Sequence, residues 1–587
     1  LDKLTRRAFL SHLSLLFGSS LAAELISSGE VLGIEHGAGD DWTDSSEFRG
    51  HQFKLGPWTG DNFTRGHDLR DAIVPQGALE TNRSVDFVIV GGGLAGLAAA
   101  HYLRNQNFLL LEQYAEAGGQ SRGASRNGID FSFGAAYLRP PENEMGELLA
   151  DLQLKPIKFD TSRHSWHTGD RSFVGITSDG GTSSANLITS AAGNHGTSKS
   201  SSTDTLTTGF NAERCYAEFR KFEQESKPIW EQIKSVRGAA LSPELKKLDQ
   251  TLFSTAISSY SPEFISIVDS ILRTSNCLGI DRASALAGYT SMQDVFTPCF
   301  SFPGGNSAIT RALVKSFVPN TDSNTDSNTD SNTTSNTTSN IISNDTPRIL
   351  SDTFVWSIDV TESGVNVIYS DGTGNMHGVQ AKYAIVTVPP MVAARILKNL
   401  DNASKAAMLG FRYGSYLVAN CFFSKPVYGG SFSNWYSAPF NFSNILIATE
   451  TYKREGLYAK HMGQALTIYQ PYEPGSEGRT ILLEGDRTKL SRGILEQLMP
   501  ISSQLEASLD GIVLSRWGHA MPVMNVGYFA RMARLNSMEH GRFSLSHSSS
   551  QGMQCAESAV RAARLAVNQA LKVKAQTKPL IFFDPTV

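Results

Sequence analysis

Gly91, Gly93 and Gly96 form a Gly-x-Gly-x-x-Gly run, and Glu112 follows sixteen residues after the third glycine. Residues of these types at this spacing bind dinucleotides. Gly91 permits a tight turn, Gly93 lets the main chain approach a diphosphate, and Gly96 lets a helix pack closely on the strand before it. The unpaired N–H groups and positive dipole of a helix N-terminus attract the diphosphate, and a carboxylate at position 112 can hydrogen-bond the adenosine ribose. FAD and NAD both satisfy this fingerprint. Behind the acid come a second glycine turn, Gly118-Gly119-Gln120-Ser121-Arg122, and a small-residue segment, Gly134-Ala135-Ala136. Together they would let the chain wrap an extended FAD and approach its ring, which makes Gly119, Arg122, Gly134 and Ala135 candidate contacts.

The elements that must position these residues are legible nearby. Val85–Val90 reads as a buried strand, Leu94–Arg104 as a helix and Phe108–Leu111 as a second strand, a βαβ unit. Helical periodicity runs from Ala212 to Arg273, with Phe219, Phe222, Ile229, Trp230 and Ile233 on one face. Further on, the pattern predicts a helix over Ile309–Phe317, a hairpin over Val355–Tyr369 and a strand over Tyr383–Val388 that ends at Pro389-Pro390. Strands near Gly511–Arg516 and Gly541–Leu545 and a helix over Cys555–Leu571 complete it.

Composition sets the outer bounds. A chain of 587 residues is too long for one hydrophobic core. At 40% hydrophobic and 18% charged it is globular in character, and a net charge of −4 offers no broad basic surface to nucleic acid. No apolar run reaches the length of about eighteen residues expected of a membrane span. The five cysteines are scattered without a CxxC pair, against a structural zinc, a dithiol centre or a c-type haem. No G-x-S-x-G nucleophile elbow occurs. Arg6-Arg7 precedes the weakly apolar stretch Ser11–Ala23, so residues 1–30 resemble a twin-arginine export signal, with periplasmic or exported location as the consequence. Residues 31–80 read as an extended N-terminal arm. Asn320–Asn340 repeats Asn-Thr-Asp-Ser and Asn-Thr-Thr-Ser, so 320–344 reads as a disordered insertion.

The residues after Glu112 resemble the flavin amine oxidase superfamily, which carries a Gly-Gly-Arg and a Gly-Ala segment beside the flavin. Val355 stands where that family places a valine at the adenine, Ala384–Pro390 resembles its proline-ended strand, and Gly541–Leu545 followed by Glu557-Ser558-Ala559 occupies its C-terminal flavin segment. Four stretches (Gly60–Phe63 with His67–Asp71, Phe302–Ile309, Arg516–His519 and Gly541-Arg542) look like bacterial spermidine dehydrogenases, exported flavoproteins that also bring haem b into consideration. The resemblance implies an α/β fold: a Rossmann-type FAD-binding domain assembled discontinuously from 80–150, 295–400 and 505–575, with an α+β substrate-binding domain from 151–294 and 401–504. It also implies non-covalent FAD and a small-molecule primary or secondary amine substrate, with a polyamine included. The electron acceptor and the oligomeric state stay open.

The pattern has departures. Gln120 replaces the family arginine, leaving the diphosphate charge to another group such as Arg122, and His547 replaces the family acid of the C-terminal motif. Within Tyr413–Phe423, Val418 or its neighbour aligns where relatives often carry a lysine, which leans the reading from oxidase toward dehydrogenase. Trp517 is the candidate flavin-facing wall, able to fix an apolar stem or favour a cation. His519 is the candidate to orient substrate or titrate near neutral pH. Trp435, Tyr436 and Tyr528 are candidates to complete an aromatic pocket. His67 is a haem-ligand candidate by resemblance, against the alternative of a hydrogen bond that anchors the arm. Two rival functions remain at this point, a polyene or porphyrinogen desaturase and a non-catalytic exported flavoprotein.

Overall fold

The computed structural model describes residues 42–73, 80–160, 164–168, 171–174, 188–189, 212–235, 241–317, 348–475, 477–502, 504–537 and 541–572. The export-like segment 1–30 and the insertion 320–344 lie outside the described residues.

Short elements build the stretch that the sequence presents as an extended arm: strands β1 (Ser45–Phe48), β2 (His51–Leu55) and β3 (Thr59–Gly60), then helix α1 (Thr64–Arg70). Ser46 and Phe48, then Phe53 and Leu55, are buried at every second position. That two-residue period is enough for a strand with one buried face, and each run is too short for the sequence pattern to show it. Strand β4 (Glu80–Val90), helix α2 (Leu94–Tyr102) and strand β5 (Phe108–Leu111) follow as the βαβ unit. Val88, Ile89, Leu109 and Leu110 are wholly buried, as central parallel strands covered on both faces must be.

After the insertion come β6 (Ile349–Leu350), β7 (Phe354–Val360), β8 (Val365–Ser370) and β9 (Met376–Val386). They extend the first sheet in the order β6-β5-β4-β9-β8-β7. The members from β6 to β9 run parallel, β8 is antiparallel to β9, and β7 is antiparallel to β8.

The second sheet takes β10 (Tyr413–Phe423), β11 (Ser433–Tyr436), β12 (Asn444–Ile447), β13 (Gln464–Tyr472) and β14 (Leu509–Pro522). Its order begins β1-β2-β14-β10-β13-β12-β11 and continues through Ser165–Thr168, with β3 added on β14. Helices cover it, among them Pro262–Asn276, which starts because the Ser261 hydroxyl accepts from the Phe264 N–H and Pro262 tolerates the first helical position. Helix α3 (Ala285–Phe296) packs beside it. The chain then returns to the first sheet with β15 (Phe543–Leu545), parallel to β9, and ends in α4 (Ala556–Ala570) against α2.

One boundary differs from the sequence reading. Residues 505–575 were grouped with the FAD-binding lobe, yet β14 lies inside the second sheet between β2 and β10. Strand partners are set by long-range register, which the local pattern of 509–522 does not carry. Among the described residues no helix is long and apolar enough to cross a membrane.

The βαβ unit is held by a near-contact of main chains. A β-carbon at residue 96 would lie 1.9 Å from the Gly91 carbonyl oxygen. Gly96→Ala should therefore destabilise the fold by about 1–3 kcal/mol, read as a lower urea midpoint at unchanged slope. An unchanged midpoint would contradict this packing.

Candidate dinucleotide site and its aromatic wall

The turn that ends β4 is left-handed at Gly91, with φ of 104°. A β-carbon there would meet the Thr387 hydroxyl oxygen at 2.7 Å. That hydroxyl donates to the Val90 and Gly91 carbonyls, tying β9 to the turn. Gly93 precedes α2 with extended ψ, and no side chain caps the helix N-terminus. A β-carbon on Gly93 would find only the Gly119 α-carbon, at 4.0 Å. The third glycine is thus required by the protein's own packing, whereas the second is bare toward open space.

Gly118 donates its N–H to the Gly92 carbonyl at 2.7 Å, which seats the second glycine turn on the first. Gly119, at φ of 57°, lies so close to Gly93 that a β-carbon would come within 3.0 Å of its α-carbon. Glu112 is buried at the end of β5. One carboxylate oxygen accepts the Gly92 N–H at 2.5 Å and the other the Tyr114 N–H at 2.9 Å. Burial pushes this carboxyl above its ordinary range, opposed by those two bonds and by the Arg122 charge. Ribose hydroxyls are the donors that a carboxylate so placed would take up. Thr353 donates its N–H to the Glu112 carbonyl at 2.8 Å, which brings Val355, at the head of β7, to the same end of the sheet.

Arg122, Gln120 and His547 each have partners within the protein. Arg122 is buried, and it donates to the carbonyls of Gly60 at 2.7 Å and Gly119 at 3.2 Å while its guanidinium sits 4.0 Å over the Tyr114 ring. Its charge serves the arm and Glu112. Gln120 donates to the Ala520 carbonyl at 2.7 Å and accepts from Gln554 at 2.9 Å, joining the turn to β14. His547 caps a short 3-10 turn: its Nδ1 accepts the Ser549 N–H and pairs with the Ser549 hydroxyl at 2.7 Å. Burial pushes its pKa down to about 4, so at neutral pH it is an uncharged acceptor. Beside it Ser546 donates its N–H to the Val386 carbonyl, while its buried hydroxyl has no partner among the described residues. An orphaned hydroxyl at the same end of the sheet as the Gly91 turn, an open Gly93 and an uncapped helix fit a dinucleotide diphosphate.

Beyond this slot the chain builds a wall of rings. Trp517 is 4% exposed and donates its indole N–H to the Phe133 carbonyl at 2.8 Å. A β-carbon on Gly134 would lie 3.4 Å from that indole nitrogen. The Gly134 carbonyl accepts the Tyr469 hydroxyl at 2.7 Å, and Ala135 donates its N–H to the Gln120 carbonyl. Tyr416 is paired across strands with Trp517 and meets Tyr469 edge-on at 6.2 Å. The structure brings Trp517, Gly134 and Ala135 together, and adds Tyr469 and Tyr416. The other aromatic candidates have structural partners: Trp435 stacks on Trp166 at 5.5 Å, Tyr436 on His167 at 4.3 Å, and the Tyr528 hydroxyl donates to the Gly552 carbonyl. Below the wall, Arg139 pairs with Asp294 of α3 at 2.7 Å and donates its N–H to Glu557 of α4. Burial holds Asp294 up at about 6. This clamp between lobes had no local sequence signal.

His519 does not titrate near neutrality. Burial, then Arg479, His67, Arg395 and Arg70, push it down to about 4. His67 lies in the same basic cluster, 5.4 Å from the Phe63 ring. Among the described residues no group of three or more His, Cys, Asp or Glu side chains could hold a metal ion.

Residues 89–152 match the family of NAD(P)-binding Rossmann-like domains. The chain is 33% identical over 81 residues to the pig flavin-containing amine oxidase A, a stretch that covers 13% of this chain and 15% of that protein. It is also 33% identical over 98 residues to the human all-trans-retinol 13,14-reductase, again 16% of each. The matched stretches are thus about a sixth of these relatives' length. A solved structure of putrescine oxidase bound to putrescine superposes with a TM-score of 0.59 at 16% identity, over 84% of this chain and all of that one. The chain has a mixed α/β fold with a Rossmann-like dinucleotide-binding domain, the fold of amine oxidase structures.

The depressed His547 pKa has a stability consequence. The unfolded imidazole gains its proton near 6.5 and the folded one only near 4, so protonation favours unfolding across that interval. His547 should cost about 3 kcal/mol of stability as pH falls from 6.5 to 4. His547→Asn, which keeps a capping acceptor, should flatten the denaturation profile in that window. An equally steep profile would contradict the assignment.

Proposed function

We propose that this chain is an FAD-dependent oxidoreductase that oxidises a primary or secondary amine, polyamines included. The observation that carries the reading is the convergence of the Gly91 turn, the buried Glu112 carboxylate and the orphaned Ser546 hydroxyl at one sheet end, with the Trp517–Gly134–Tyr469 wall beyond it. Similarity to amine oxidases in sequence segment and in fold supports the amine.

When bound, the flavin supplies a hydride acceptor for the C–H bond beside the amine nitrogen. The chain supplies binding and orientation. The N–H groups that open α2 would hold the diphosphate and Glu112 the ribose. The Trp517 indole is fixed by the Phe133 carbonyl and the Tyr469 phenol by the Gly134 carbonyl, so both rings stand ready to position a substrate stem and exclude water. His519 stays neutral at pH 7 and would orient the amine without repelling it through its own charge. Val418 in place of a lysine supports electron delivery to an acceptor other than oxygen. The Arg6-Arg7 segment supports export after the cofactor is loaded.

A second reading, redox chemistry on a polyene, draws on the segment shared with the retinol reductase. Anaerobic mixing of the flavin-loaded protein with 1,4-diaminobutane, spermidine or a retinoid separates the two. The amines should bleach the oxidised flavin and the retinoid should leave pre-reduced flavin reduced; reoxidation of reduced flavin by the retinoid, with no bleaching by any amine, would overturn the amine reading. Trp517→Phe, which loses the bond to Phe133, should slow amine bleaching about tenfold to a hundredfold at unchanged flavin content. An unaltered rate would remove Trp517 from the substrate wall.

A further inference from the structure

Residues 58–65 cross from one lobe to the other, and their contacts fall beside residues of the dinucleotide slot. Gly60 in β3 approaches β14 so closely that a β-carbon would lie 2.4 Å from the Arg516 carbonyl oxygen. Asp61 donates its N–H to that carbonyl at 2.7 Å, and its carboxylate accepts the Gly518 N–H at 2.8 Å. One residue thereby brackets Trp517 from both sides.

On the other lobe the Gly60 carbonyl accepts from Arg122 at 2.7 Å, Asn62 donates its N–H to the Tyr114 hydroxyl at 2.9 Å, and Arg65 donates to the Asp352 carbonyl at 3.2 Å. Arg122 stands three residues beyond Gly119, Tyr114 two beyond Glu112, and Asp352 three before Val355. The contacts therefore run in order along the slot, from the ring wall through the diphosphate turn to the ribose and adenine end. Trp58 and Phe63 flank the Arg516 guanidinium at 4.9 and 4.7 Å, which fixes both ends of the segment by cation–π attraction.

We propose that residues 58–65 form a clasp along the FAD slot, with Asp61 as the positioning residue that fastens it to the Trp517 strand, so that retention of the cofactor depends on this segment. The inference rests on the reading of the slot as an FAD site. The glycine turn supplies affinity through main-chain donors. The clasp governs escape, because its bonds to both lobes must open before the cofactor can leave. A hydrogen bond to a charged acceptor is strong enough that its loss should raise the release rate about ten- to a hundredfold.

The test uses the full chain loaded with FAD. Flavin release is followed by fluorescence on dilution for the wild type, Asp61→Ala, Asp61→Asn and Arg65→Ala, beside the thermal midpoint of each FAD-free form. Asp61→Ala should release flavin ten- to a hundredfold faster at a nearly unchanged FAD-free midpoint. Asp61→Asn, whose amide oxygen still accepts from Gly518, should restore slow release. Should Asp61→Ala fail to fold, Arg65→Ala, at the exposed end of the segment, carries the same expectation of faster release. Release at the wild-type rate from both alanine variants would overturn the clasp while leaving the FAD site intact. Faster release in step with a lowered FAD-free midpoint, without rescue by Asp61→Asn, would overturn it in favour of a structural role. A wild type that takes up no FAD would overturn the reading on which the clasp depends.

Discussion

The contact of main chain with main chain at Gly91 and Gly96 is the constraint from which the site follows. With no side chain between them, α2 starts directly behind the β4 turn, and its N-terminal N–H groups point across the end of the parallel sheet. Glu112 braces the same turn from the next strand, and Thr387 from the strand on the other side. Three adjacent strands thus converge on one loop without filling the space in front of Gly93. The buried Glu112 carboxylate and the orphaned Ser546 hydroxyl lie at the same end of the sheet, and an unpaired hydroxyl is costly in an interior unless a ligand completes it.

The second sheet supplies the ring wall beyond this slot. β14 carries Trp517 to the Gly134 segment, while Gln120 and Gln554 both donate to the Ala520 carbonyl, two strand positions beyond Gly518, where the arm attaches. Tyr469 reaches the same Gly134 carbonyl from β13. The ring wall is therefore held by bonds to the backbone of the dinucleotide lobe, and the Arg139–Asp294 pair with Glu557 ties the helices beneath. Such cross-lobe bonds fix orientation, which is the main service a protein gives to a redox cofactor.

What the sequence made legible was local. Gly91 to Glu112 is contiguous, and the periodicity of β4, α2 and β5 agrees with the roles of the glycines, so turn, helix and acid were all readable together. Tyr469 and Tyr416 were not, since their place beside Trp517 comes from strand pairing across long stretches of chain. Arg122 shows that residue type does not disclose direction: the cation is present, but buried carbonyls hold it. His519 shows the same for titration, because its low pKa arises from burial and from cations on other elements. The sequence shows the arm only as an extended segment because each of its strands is too short for a periodic signal.

Titration of the flavin-free protein with FAD, and separately with NAD, by calorimetry tests the central claim most directly. The account predicts one FAD bound per chain, with Glu112→Ala binding markedly more weakly, and no comparable heat from NAD. A folded protein that binds neither nucleotide, or that prefers NAD, would contradict it.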